Sequence, residues 1–127
     1  DIALDPFPFG GGTTTCETLW LGVPVVSCSG KVGGDFAPRF ASRMGHAFLN
    51  NIGVPELACE SVADYVETAV LLAQDHERLA QLRQTLRPRM ASAPLTDAMR
   101  FVREMEDAYR AMWHAWLADS KTPLPKT

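Results

Sequence analysis

The sequence predicts an α/β fold, because a short apolar run, Asp1-Ile2-Ala3-Leu4-Asp5, is followed in turn by a glycine loop, a helical run and a second apolar run. Pro6-Phe7-Pro8-Phe9 continues neither a helix nor a central strand, so the first strand ends there. Residues 14–21 carry a helical pattern that closes at Gly22 with Pro24 beyond, the usual stop signal for a helix. Val23-Pro24-Val25-Val26-Ser27 then reads as a second buried strand. This order puts Gly10-Gly11-Gly12-Thr13-Thr14-Thr15-Cys16-Glu17 at the carboxyl end of the first strand, where open α/β sheets bind their ligands.

The chemistry of that loop is suited to an anion. Successive glycines remove side chains that would keep an anion off the backbone, and they permit the positive φ angles at which N–H groups converge. The first N–H groups of a helix lack intrahelical acceptors, and the helix dipole adds partial positive charge. An anion at residues 13–15 would meet those donors and up to three hydroxyls, of Thr13, Thr14 and Thr15. Glu17 repels phosphate, and its ligand role would be to accept from sugar hydroxyls. Thr14-x-x-Glu17 also fits a capping box, which competes for the same oxygens, and spacing leaves both readings open. No Lys follows the last Gly and the pattern is not GxGxxG, so the loop is not a P-loop.

Length and composition narrow the class. At 127 residues, 46% hydrophobic and 21% charged, the chain is the size and polarity of one soluble globular domain. A formal charge of −3 gives no reason to expect nucleic acid or an anionic membrane as partner. No run approaches the ~18 apolar residues of a membrane span, and no secretory signal opens the chain, so the expected compartment is the cytoplasm. Cys16, Cys28 and Cys59 are odd in number and lack CxxC spacing, which points to buried thiols rather than a disulfide framework or a metal site. Cys16 also admits a nucleophile reading, since a nearby helix N-terminus lowers a thiol pKa, but no partner His is assignable. The chain opens directly in a strand and its parallel strands would leave apolar surface uncovered, so it is expected to be a piece of a larger domain.

Residues 29–38 are turn chemistry, with Lys31 either solvated or touching a phosphate. A helix is predicted from Arg39 to about Asn50, with Phe40, Met44, Ala47 and Phe48 on one face. Arg39 and Arg43 share another face, as a surface stripe or an anion contact, and His46 has no evident partner. Glu56-Leu57-Ala58-Cys59 suggests a third strand. Ser61-x-x-Asp64 caps a helix with Val62, Tyr65, Val66, Ala69, Leu72 and Ala73 at helical spacing. The next helix carries Leu79, Leu82, Leu86 and Met90 on one side, and Pro88 is expected to kink or end it. Its arginines are read as a solvated face. The last helix starts near Thr96-Asp97 and runs to about Ala118, with Phe101, Val102, Met105, Tyr109, Met112, Trp113 and Trp116 as an apolar stripe for a neighbouring domain. Residues 1–118 thus read as one partial lobe and residues 119–127 as a frayed tail.

Asp1 to Asp5, Gly11, Thr13-Thr14, Leu19-Trp20, Gly22, Pro24, Ala41-Ser42-Arg43, Ser92-Ala93-Pro94-Leu95 and Met112-Trp113 together resemble the C-terminal catalytic lobe of protein O-GlcNAc transferases, in particular bacterial members with tetratricopeptide repeats. The resemblance implies the C-terminal half of a Rossmann-like lobe of a GT-B glycosyltransferase, helix-rich and ending in a long amphipathic helix. It implies a parent enzyme that moves N-acetylglucosamine from UDP-GlcNAc to Ser or Thr hydroxyls with inversion, without a cofactor or an obligatory metal. Thr13 and Thr14 match the threonines that bind the donor diphosphate, and Glu17 stands where the family has an acid on the ribose. Gly12 replaces a histidine of the animal enzymes, so its role rests on its backbone. The UDP-sugar contacts implied are Gly11, Gly12, Thr13, Thr14, Thr15 and Glu17. No catalytic residue is implied, because the family's uracil-binding, basic and acceptor-side groups lie upstream. The fragment alone is expected to be inactive, its partners being the nucleotide-sugar donor and, through the missing part of the parent, a protein acceptor. Two other readings remain: a GT-B nucleotide-sugar transferase with a small-molecule or lipid acceptor, and a non-catalytic interaction module held by Tyr109, Trp113 and Trp116. The isolated chain is expected to self-associate through uncovered apolar surface.

Overall fold

A computed structural model of the chain describes residues 1–29 and 40–118. Lys31, Arg39 and the tail from residue 119 lie outside the described residues. The chain divides into two compact units, Asp1–Thr96 and Asp97–Thr127.

The first unit runs β1 (Ala3–Leu4), α1 (Thr13–Trp20), β2 (Val25–Cys28), α2 (Met44–Asn51), β3 (Ala58–Cys59), α3 (Val62–Gln74) and α4 (His76–Ser92). The strands form a parallel sheet in the order β1-β2-β3. Ala3 lies opposite Val25, Leu4 opposite Val26, Ser27 opposite Ala58 and Cys28 opposite Cys59. All of β2 is buried, which is why its sequence is a continuous run rather than an alternation. Around it pack Leu19, Leu49, Val54, Leu82 and Leu86, each with no exposed surface. Such residues contribute roughly 1.5–3 kcal/mol apiece from burial.

Glycine ends two of the helices. Gly22 (φ +79°) closes α1 and Gly53 (φ +72°) closes α2. In α1 the Gly22 N–H donates to Leu19 O at 3.0 Å and the Val23 N–H to Thr18 O at 3.1 Å. In α2 the Gly53 N–H donates to Asn50 O at 3.2 Å and the Val54 N–H to Leu49 O at 3.0 Å. These are Schellman turns, which satisfy the last carbonyls and need a left-handed residue. Ser61 caps α3 as expected, its Oγ accepting the Asp64 N–H at 3.0 Å. Asp75 does the same for α4, accepting the Arg78 N–H at 2.8 Å.

Three expectations change. The inward face of α2 is Gly45, Leu49 and Ile52, whereas Phe40 is 76% exposed and Ala47 is exposed. A 3-10 turn over Phe40–Arg43 precedes α2 and shifts the phase of the pattern, and Gly45, which contributes no hydrophobic signal, makes the closest approach. Along α3 only Tyr65 and Leu72 are buried, and Val66, Val70 and Leu71 face out. Pro88 does not end α4, which continues to Ser92. Pro88 and Gln84 lie on the exposed side, where a carbonyl without its N–H partner costs least, while Leu82, Leu86 and Met90 hold both halves of the helix to the core.

The second unit is described as α5 (Ala98–Ala118), none of whose residues is buried. Asp97 Oδ1 accepts the Arg100 N–H at 2.9 Å and starts the helix. Arg100 pairs with Glu104 at 2.7 Å, and Arg110 with Glu106 at 3.2 Å and Asp107 at 2.9 Å. Trp113 and Trp116 stack with ring centroids 5.2 Å apart. Among the described residues no helix is long and apolar enough to cross a membrane.

A Cβ built on Gly22 would lie 2.7 Å from the Arg83 carbonyl oxygen, whereas one on Gly53 would meet only the end of the Arg89 side chain at 3.8 Å. Gly22→Ala is therefore expected to cost about 2–3 kcal/mol and Gly53→Ala about 1 kcal/mol in urea unfolding. Equal losses would contradict the close approach of α1 to α4.

Candidate functional site

The site begins with a buried carboxylate. Asp5 follows β1, and its N–H still donates to Val26 O at 2.9 Å, so the residue stays tied to β2 at the carboxyl edge of the sheet. Its side chain is 3% exposed. Oδ1 accepts the Gly11 N–H at 2.8 Å and the Thr15 hydroxyl at 3.2 Å, and Oδ2 accepts the Ser27 hydroxyl at 2.7 Å. The Tyr65 hydroxyl donates to the Asp5 carbonyl at 3.1 Å. Burial, and then the nearby Asp5 carboxyl group, push the Tyr65 phenol up, which keeps it a donor. A carboxylate taken from water needs replacement donors, and the loop, α1 and β2 supply them, while α3 serves the Asp5 backbone carbonyl.

The glycines serve space around Asp5 rather than positive φ. Among the described residues only Gly22 and Gly53 have positive φ, so the expectation that the loop glycines use that conformation is corrected. A Cβ on Gly10 would lie 3.0 Å from Asp5 Oδ2, one on Gly11 2.3 Å from Thr15 Oγ1, and one on Gly45 2.1 Å from Ser27 Oγ and 2.6 Å from Asp5 Oδ2. The loop and α2 close around the carboxylate at distances a methyl group cannot enter.

This packing decides which donors remain. The Gly10 N–H goes to Ala41 O at 3.3 Å and the Gly11 N–H to Asp5. Gly12 is the N-cap of α1 and no side chain caps the helix. The first bond into α1 is Cys16 N–H to Gly12 O at 3.1 Å, leaving the N–H groups of Thr13, Thr14 and Thr15 without intrahelical acceptors. Thr13 and Thr14 are exposed, but Thr15 is buried and its hydroxyl proton is given to Asp5. The expected three hydroxyl donors are thus two. The capping-box alternative also falls, because the helix starts at Thr13 and Glu17 lies two residues beyond the position a box requires. Glu17 remains exposed, on the same face as Thr13 and Thr14 at spacings of four and three.

Beside Glu17 an open cavity of about 450 Å³ is bounded by Cys16, Glu17, Trp20, Leu21 and Met90. The Arg87 guanidinium carbon stands 5.0 Å from the Trp20 ring centroid. Cys16 does not acquire a lowered pKa. Burial and then the charge of Glu17 push its thiol up, against the nucleophile reading. Cys28 and Cys59 are buried and unpaired, as read from their spacing. His46, left without a partner by sequence, has one on each ring nitrogen, Ser29 Oγ at 3.3 Å and Cys59 O at 3.0 Å.

A family model, glycosyl transferase family 41, matches residues 1–105. The chain belongs to glycosyl transferase family 41. It is similar, at 41% identity over 116 residues, to the probable UDP-N-acetylglucosamine–peptide N-acetylglucosaminyltransferase SPINDLY of Eustoma exaltatum subsp. russellianum, covering 91% of this chain and 12% of that protein. The Arabidopsis thaliana protein of the same name is 40% identical over 113 residues, 89% of this chain and 12% of its own length. The Caenorhabditis elegans UDP-N-acetylglucosamine–peptide N-acetylglucosaminyltransferase is 33% identical over 113 residues, 89% of this chain and 9% of its own. A solved structure of a mutant Thermobaculum terrenum O-GlcNAc transferase superposes with a TM-score of 0.74 at 39% identity, over 88% of this chain and 20% of that one. The family 41 chain is therefore a catalytic-domain segment with the α/β architecture of a Rossmann-like GT-B lobe, and it spans a small part of the length of these relatives.

Sequence reading selected the loop of this family 41 chain but passed over Asp5, Ser27 and His46. An acid directly after an apolar strand and before a glycine loop was the available signal for Asp5. Asp5→Asn presents an NH₂ group where one of three donors now finds an acceptor, so a loss of about 2–3 kcal/mol in unfolding free energy is expected. A change below about 0.5 kcal/mol in denaturant titration would remove Asp5 from the centre of the loop.

Proposed function

We propose that Gly11, Gly12, Thr13, Thr14, Thr15 and Glu17 form the diphosphate and ribose part of a UDP-GlcNAc site in a protein O-GlcNAc transferase. The observation that supports this reading is the uncapped start of α1, where the Thr13, Thr14 and Thr15 N–H groups have no intrahelical acceptor and the exposed Thr13 and Thr14 hydroxyls stand beside them. Gly12 lets a diphosphate approach this end, Thr13 and Thr14 donate to its oxygens, and Gly11 and Thr15 shape the turn through Asp5. Glu17, one turn further on, accepts from ribose hydroxyls. Together these groups meet the negative charge that develops on departing UDP during inverting transfer, an effect of a few kcal/mol for donors of this kind. The general base and acceptor-binding groups belong to the parent beyond this segment, so the segment alone is inactive. Transfer to peptide is what the relatives' names state of those proteins, and it favours a Ser or Thr acceptor over a small molecule or lipid.

The parent works in the cytoplasm on this reading, a placement supported by buried thiols Cys28 and Cys59, which oppose each other on β2 and β3 and are unpaired. Residues 1–118 act as part of the donor lobe, and the α5 stripe docks on the remainder of the parent. With that cover missing, the isolated chain self-associates. Sedimentation of the isolated chain is expected to show concentration-dependent oligomers that Trp113→Glu with Trp116→Glu reduces, and a clean wild-type monomer would overturn this part.

In the full-length protein Thr14→Ala is expected to weaken UDP binding about five- to tenfold by calorimetry. Glu17→Ala should weaken UDP while leaving inorganic pyrophosphate unaffected. Unchanged UDP affinity in Thr14→Ala would sink the assignment.

A further inference from the structure

His46 closes a small network at the carboxyl edge of the sheet, outside the proposed donor loop. Its Nε2 lies 3.0 Å from the Cys59 carbonyl oxygen at the end of β3, and its Nδ1 lies 3.3 Å from Ser29 Oγ, one residue beyond β2. The Ser29 N–H donates to the same Cys59 carbonyl at 3.0 Å. A carbonyl accepts only, so Nε2 carries the proton; Nδ1 of the neutral ring is then a bare lone pair, and the Ser29 hydroxyl donates to it. Ser29 has therefore spent its proton, and its oxygen lone pairs are what it can offer a ligand.

The placement of Ser29 gives that polarity a use. Side chains two apart along an extended chain share a face, and two residues earlier Ser27 donates to Asp5, the carboxylate that shapes the glycine loop. Ser29 thus stands at the end of β2 next to the strand end that carries residues 10–17, on the edge where parallel sheets hold ligands. An acceptor there repels phosphate oxygens and suits a hydroxyl. His46 itself is seated by Gly45, whose missing Cβ lets α2 close on Ser27 and Asp5.

We propose that His46 is a positioning residue that makes Ser29 a hydrogen-bond acceptor for a hydroxyl of the transferred sugar, so that the pair recognises the sugar half of the donor while the α1 start recognises its diphosphate. This rests on the donor-site reading above. A carboxamide carries its acceptor oxygen and donor nitrogen in the same 1,3 relation as the imidazole nitrogens, so Gln at this position can keep both bonds.

The test uses the full-length protein with UDP-GlcNAc and with UDP alone. His46→Ala and Ser29→Ala are each expected to raise the KM for the nucleotide sugar about fivefold, with kcat within about twofold and the UDP inhibition constant unchanged. The double variant should match either single variant, because one contact is lost in all three. His46→Gln should return KM to within about twofold of wild type, and the nitrogen NMR signal of His46 Nδ1 should be that of an unprotonated ring nitrogen. Unchanged KM in both single variants, an equal loss for UDP-GlcNAc and UDP, additive effects in the double variant, or a proton on Nδ1 would each overturn the inference. If Thr14→Ala leaves UDP binding intact the donor-site reading itself has failed and this inference falls with it, whereas a Thr14 effect without a His46 effect removes this inference alone.

Discussion

A carboxylate with no water around it has to be supplied with donors, and in this chain that requirement organises everything at the sheet's carboxyl edge. Asp5 is 3% exposed and takes one donor each from the loop, α1 and β2, while its carbonyl takes the Tyr65 hydroxyl from α3. The contacts span separations of 6, 10 and 22 residues to the side chain and 60 to the carbonyl, so one residue joins segments that have no local reason to meet. Gly10, Gly11 and Gly45 follow from the same requirement, since a Cβ at each would enter the space the carboxylate and its donors fill. Loss of acceptors here leaves several donors unsatisfied at once, the situation in which buried polar networks are most costly.

The same carboxylate divides the loop into an inward and an outward set. Gly11 N–H and Thr15 hydroxyl turn inward and are consumed, whereas the helix end from Thr13 turns outward with unmatched N–H groups and two exposed hydroxyls. Under the donor-site proposal, a negative group directly behind the place of an anion is at first sight unhelpful. Its value on that proposal is rigidity: the donors that face outward are held by those that face inward, so no reorganisation would be needed as charge develops on a leaving group. Glu17 adds an acceptor on the adjoining helix face, and the apolar cavity bounded by Trp20, Leu21 and Met90 begins there. On the same proposal, the division fits a donor that is anionic in its diphosphate and hydroxylated in its sugars.

Helix α5 illustrates a different balance. Most of its charged residues pair within the helix, Arg100 with Glu104 and Arg110 with Glu106 and Asp107, so the polar side is largely matched internally. Exposed pairs of this kind contribute little to stability. The apolar side, including Val102, Met105, Tyr109, Met112 and Trp116, has none of its residues buried. The proposal that a further part of the parent covers this face is consistent with the chain spanning 12% of the length of the Eustoma relative.

The sequence by itself determined the α/β class, the order of elements, the helix stop at Gly22, the cap at Ser61 and the glycine loop with its threonines, because each is a local signal: a dihedral preference, a short-range hydrogen bond or a period. The family motif was legible for the same reason, being contiguous around residues 11–24. What only the tertiary structure decided involves partners far apart in the chain. It showed that Asp5 rather than positive φ explains the glycines, that Thr15 turns inward, that Glu17 caps nothing, and that His46 bridges Ser29 and Cys59. It also set the buried face of α2, where the deciding residue is Gly45, and carried α4 through Pro88 by packing on both sides of it. A hydrophobic period cannot see a glycine that matters for its absent side chain, nor a carboxylate whose donors arrive from across the sheet.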